Sequence, residues 1–139
     1  MLYSRLAGDL ARGGLPAFSF ITPNLIDDMH DGTVADGDRW LSVNLPKILA
    51  SPQYRDGGTV VFITWDEGEG GASDRCATNT TDVGCHVPTL VISPSTPRGT
   101  RSIRLFSHYS LLATAEQLLG LPRLGQAGAA TSMTSAFRL

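Results

Sequence analysis

The chain has 139 residues, 42% of them hydrophobic and 17% charged, which is the size of one ordinary globular domain and too apolar to stay disordered. A net charge of −2 and a pI near 5.8, with 11 basic residues scattered through the sequence, count against nucleic acid as the main partner. No apolar run approaches the roughly 18–20 residues that cross a bilayer, so no transmembrane segment is expected.

Leu2, Tyr3, Leu6, Ala7 and Leu10 recur at helical spacing, and Gly13-Gly14 with Pro16 beyond them close that helix. The opening residues lack the long apolar segment and cleavage site of a secretory signal. Residues 17–23, apolar and bounded by prolines, read as a strand. A loop over residues 24–37 follows, with Asp27, Asp28, His30, Asp31 and Asp36, more ionisable groups than a connector requires. Trp40, Leu41, Leu45, Ile48 and Leu49 then predict a helix over 38–49 that Pro46 kinks or interrupts.

Gly57-Gly58 resets the chain. Residues 59–65 are a continuous β-branched and aromatic run, the pattern of a central strand buried on both faces. It ends in Asp66-Glu67-Gly68, placing two carboxylates at the mouth of the strand, the edge where open α/β sheets bind ligands. Residues 87–94 predict another strand and 103–106 a short edge strand. From Ser107 or His108 a helix runs through Leu111, Leu112, Ala115, Leu118 and Leu119 to Gly120. The small, polar residues beyond 125 predict a loosely ordered tail that adds little core.

Cys76 and Cys85, the only cysteines, flank a polar loop that a disulfide could close, a hint of an oxidising compartment. Two unlinked thiols are the alternative, and zinc is less apt because His86 is the sole nitrogen ligand nearby. Asp66 and Glu67 are hard oxygen donors suited to a divalent cation, against the plainer reading of a solvated acidic turn. His108 opens a helix whose N-terminus favours anions. Asp27 and His30 form an Asp-x-x-His spacing that can bring an oxygen and a nitrogen to one metal or phosphate. A lone histidine or loop aspartate is, by itself, more often a surface residue.

The order of these pieces is more specific than any one of them. Ile21-Thr22-Pro23-Asn24 with Asp27-Asp28-Met29-His30-Asp31, then Asp38-Arg39-Trp40-Leu41, then Thr64-Trp65-Asp66-Glu67-Gly68, Pro88 to Pro94, and Ser107-His108-Tyr109 with Glu116 resemble the C-terminal half of the phosphoesterase family of bacterial phospholipases C and secreted acid phosphatases. That family belongs to the alkaline-phosphatase-like superfamily. The resemblance implies an α/β fold, part of a doubly wound sandwich with its sheet flanked by helices, and residues 1–139 as the C-terminal portion of one domain.

It further implies a divalent metal at Asp66 and Glu67, and His30 and His108 contacting phosphoryl oxygens, protonating the leaving group or completing the metal site. Asn24 and Asp28 are weaker carry-overs from the same loop. The implied substrate is a phosphorylated small molecule or a phospholipid head group, and the implied location is secreted or periplasmic. The family's Ser or Thr nucleophile lies in its N-terminal half, and Ser19, Thr22, Thr64 and Ser107 do not match that position. A catalytically inactive phosphate- or metal-binding module is therefore an alternative. So is a sulfatase- or phosphomutase-like relative, although those more often carry Asp-His-Gly where this chain has Asp66-Glu67-Gly68.

Overall fold

Leu6 and Leu10, four residues apart, are both buried on α1 (Leu6–Ala11), which a 3-10 turn over Tyr3–Arg5 leads into. A computed structural model describes residues 3–68, 76 and 81–139, and its contacts divide the chain into two units, Met1–Thr59 and Val60–Leu139.

In the first unit, α1 stops as the sequence predicts. Gly13 adopts φ +66°, its N–H and that of Gly14 bond the carbonyls of Leu10 and Asp9, and the orphan helix-end acceptors are satisfied. The second helix, α2, covers Val34–Leu49, starting four residues earlier than expected. The reason is a capping box: the Thr33 N–H and hydroxyl donate to the Asp36 carboxylate at 2.9 and 2.7 Å, and the Asp36 N–H returns a bond to the Thr33 hydroxyl. Pro46 lies in the last turns of α2 and does not interrupt it. A short helix, α3 (Pro52–Arg55), follows, with Ser51 as its N-cap and proline in its first turn. Tyr3 joins α2 through a 2.6 Å bond from its hydroxyl to Asn44 Oδ1 and a ring contact with Trp40.

Residues 17–23 are not a strand. A strand exists only where a neighbour takes its N–H and C=O groups. Among the described residues, only two segments pair in that way, and Phe20 is left 84% exposed.

The second unit holds those two strands, β1 (Val61–Thr64) and β2 (Thr89–Ile92), antiparallel with Val61 opposite Ile92 and Thr64 opposite Thr89. The run expected to be buried on both faces is half-buried throughout, with β2 its one ladder neighbour among the described residues. Pro88 and Pro94 sit just outside β2, where no ladder donor is required. Residues 103–106 are irregular, not an edge strand. Cys76 and Cys85 are joined in a disulfide, Cys85 ending a 3-10 turn over Val83–Cys85.

The remaining helix of the pattern is α4 (His108–Leu118), closed by Gly120 at φ +67° in the same manner as α1. The C-terminal segment does more than expected. A 3-10 turn over Gly125–Gly128 and a last helix, α5 (Thr134–Phe137), bring Ala127 and Met133 into the core beside Ala113 and Thr114. Thr114, fully buried, donates its hydroxyl to the Ser110 carbonyl and accepts the Met133 N–H at 2.8 Å. The buried Glu116 accepts the Leu124 N–H at 3.0 Å. Small side chains let this segment lie close, and the polar groups of α4 fix its register. The described architecture is thus helices with a small antiparallel sheet, α/β in the broad sense.

Candidate functional site

Chain direction at the end of β1 is set by glycine. Gly68 donates its N–H to the Gly84 carbonyl at 2.8 Å, and a Cβ at Gly68 would overlap the Val83 carbonyl. The acidic turn of Asp66 and Glu67 is thereby pressed against the 3-10 turn that the disulfide anchors. Asp82 caps that turn by accepting the Gly84 N–H at 2.9 Å. Both Asp66 and Glu67 are exposed.

His108, the first residue of α4, reaches this same turn. Its Nε2 lies 2.7 Å from the Asp66 carbonyl oxygen. A carbonyl oxygen only accepts, so Nε2 carries the proton in this contact. Ser110 Oγ accepts the Ser107 N–H at 3.2 Å, setting the angle at which α4 presents the ring. Of the sequence-predicted residues of the second unit, His108 thus meets the backbone of Asp66, with Glu67 next to Asp66 in the chain.

The fourth, His30, belongs to the first unit, in a loop that its neighbours shape. Asn24 Oδ1 accepts the N–H groups of Ile26 and Asp27, and its amide donates to Asp27 Oδ2 at 2.8 Å. Asp28 Oδ1 accepts the His30 N–H at 2.8 Å. Between them Met29 takes φ 77°, unusual for a residue with a Cβ. Its side chain fills the space over Gly37, where a Cβ would overlap the Met29 thioether. Asn24, Asp27 and Asp28 thus have structural work, while the His30 ring is exposed, 4.0 Å from Asp31. Asp36, expected among the ionisable loop residues, is part of the α2 cap.

The charges of this unit are tuned by their partners. Hydrogen bonds from Thr33, side chain before backbone, hold the Asp36 carboxyl below the usual aspartate range, and Arg39 adds to the effect. Burial, with Asp27 nearby, raises the Tyr3 phenol.

Among the described residues no group of three or more His, Cys, Asp or Glu side chains converges on one point. Asp66 and Glu67 therefore do not, with the other described residues, complete a cation site. Sequence reasoning missed the Asp66 backbone carbonyl, which carries no residue-type signal; Gly68 is legible as the residue that turns the chain after the carboxylates, but its need for a missing Cβ shows only when Val83 is seen against it.

A sequence model described as the Phosphoesterase family matches residues 1–122. The chain is 38% identical over 121 residues to a phosphatidylinositol-3-phosphatase of Mycobacterium tuberculosis, covering 87% of this chain and 36% of that protein. It is 29% identical over 127 residues to an acid phosphatase of Aspergillus niger, covering 89% and 28%. A phosphate-repressible acid phosphatase of Penicillium chrysogenum is 29% identical over 121 residues, covering 85% and 27%. The chain thus spans about a third or less of the curated relatives it matches. No solved structure matches it significantly.

Proposed function

The chain belongs to the phosphoesterase family, and from that premise we propose that residues 1–139 are the C-terminal portion of a single phosphoesterase domain, in a secreted or periplasmic hydrolase of phosphate monoesters or phospholipid phosphodiesters. The sheet of β1 and β2 is read as part of a doubly wound sandwich of the alkaline-phosphatase-like type. Support for the catalytic assignment comes from the bond between His108 and the Asp66 carbonyl.

That bond fixes the ring at the acidic turn, and Nδ1 is assigned to the substrate. With Nδ1 protonated, His108 acts as general acid. As a Ser or Thr nucleophile supplied elsewhere in the full-length protein forms its bond to phosphorus, the P–O bond to the leaving group breaks and the Nδ1 proton passes to the departing oxygen; the neutral ring can then take a proton from the water that displaces that nucleophile from phosphorus in the next step. His30, exposed on its loop, is assigned to the phosphoryl oxygens. Thr64 is not assigned as nucleophile, because its hydroxyl is engaged with Thr89 Oγ1 at 2.9 Å and the Pro88 carbonyl at 3.3 Å. Asp66 and Glu67 are assigned to a divalent cation, which would need further donors to fill its shell.

The test uses the full-length protein and a chromogenic phosphate monoester. His108→Ala is expected to lower kcat by about 10²-fold or more, the contribution of a positioned acid, with the melting temperature unchanged. Turnover within threefold of the parent would return His108 to a surface role on α4. For the carboxylates, Asp66→Asn should weaken Mg²⁺ or Zn²⁺ binding measured by calorimetry. Equal affinity would leave the acidic turn without a metal.

A further inference from the structure

The basic residues of this chain are not evenly placed. From residue 83 to the C-terminus there are five arginines and one carboxylate, Glu116, against an overall charge of −2. Glu116 is 3% exposed and lies 4.0 Å from Arg123, so it contributes nothing to the outer surface. Three of the arginines, Arg98, Arg101 and Arg104, fall on the loop between β2 and α4, and none forms an ion pair among the described residues.

This loop is anchored at both ends. Thr96 donates its hydroxyl to the Phe137 carbonyl at 2.6 Å at one end, and the Phe106 ring packs on that of Phe137 at the other. A tight turn over residues 97–100, with Gly99 at φ +76° and the Thr100 N–H on the Pro97 carbonyl, lies between these two anchors. The arc carries Ile103 completely exposed and Leu105 71% exposed. Beside them a cavity of about 260 Å³ is lined by Arg101, Ser102, Ile103, Arg104, Ser135 and Ala136, with no carboxylate in its wall.

We propose that the loop over residues 98–105 is a docking surface for an anionic lipid bilayer, Arg101 and Arg104 taking headgroup phosphates at the cavity while Ile103 and Leu105 enter the acyl boundary. Guanidinium groups pair with phosphate in fork geometry, and aliphatic side chains gain on leaving water, so each half supplies what the other lacks. A free phosphate would use the arginines and leave the two aliphatic residues exposed. Among the described residues no helix is long and apolar enough to cross a membrane; the contact proposed for this loop is peripheral. The inference stands apart from the proposed reaction, since binding to vesicles requires no turnover.

The experiment is co-sedimentation of the full-length protein with vesicles of phosphatidylcholine alone or with about a third phosphatidylserine. Binding is expected only to the anionic vesicles, weakening with salt. Arg101→Gln with Arg104→Gln should lower the affinity by about fivefold per arginine, the usual gain of one basic residue at an anionic surface. Ile103→Ser with Leu105→Ser should reduce it about tenfold or more, while hydrolysis of a soluble monoester stays at the parent level in both double variants. An Ile103→Trp variant should show a blue-shifted emission when anionic vesicles are added. Equal binding to neutral vesicles, binding untouched by the Ser variants, or no binding at all would overturn the proposal. So would binding abolished by millimolar inorganic phosphate with no spectral shift at position 103, which would mark a free-anion site instead.

Discussion

Asp36 shows how a residue that looks like chemistry is absorbed by folding. Its carboxylate closes the N-terminus of α2 by accepting both donors of Thr33, so its pKa in the folded chain is held down. A carboxyl more acidic when folded than unfolded stabilises the fold fully above its unfolded value, near 3.9. That contribution is lost as the pH falls through the lower folded value. Hydrogen-exchange protection at the start of α2 should therefore decline on acidification below about pH 4, and Asp36→Asn should flatten that part of the profile. An unchanged profile in the variant would show that another group controls the acid limb. Thr33→Ala, which removes the cap oxygen, is expected to cost about 1 kcal/mol in a denaturant titration.

At the scale of elements, what was legible in the sequence followed from signals local to one segment. Both α1 and α4 end where a glycine takes positive φ, and β2 lies between two prolines, because these constraints act within a few residues. Residues 17–23 and 103–106 have strand-like composition without being strands, since pairing depends on a neighbour that the segment does not encode. The C-terminal segment was hidden for the opposite reason. Its small residues carry little periodicity, and its place is set by polar groups of α4, Thr114 above all. Thr114→Val keeps the volume but leaves the Met133 N–H without its acceptor in a buried site. The expected loss is about 1–3 kcal/mol, with faster proteolysis after residue 120. A melting temperature equal to the parent's would mean that the segment is held by packing alone.

Over the whole chain, the site residues were readable as types, while their grouping was not. Asp66 and His108 stand 42 positions apart in sequence, and the bond that joins them uses a backbone carbonyl. The acidic turn is in turn braced by Gly68 against Gly84, one residue before Cys85, so the disulfide is a structural element of the second unit. Closing a loop of this size restricts the unfolded chain and is worth about 2–4 kcal/mol. In the full-length protein, Cys76→Ser with Cys85→Ser should therefore lower hydrogen-exchange protection in β1, β2 and α4. The α2 amides, whose capping box and ring contacts are contained in the first unit, should exchange at the parent rate. Equal losses in α2 and in β1 would show that the two units unfold as one body. No loss in either would show that the Gly68 contact holds the turn without the disulfide, and turnover at the parent level would then be expected as well.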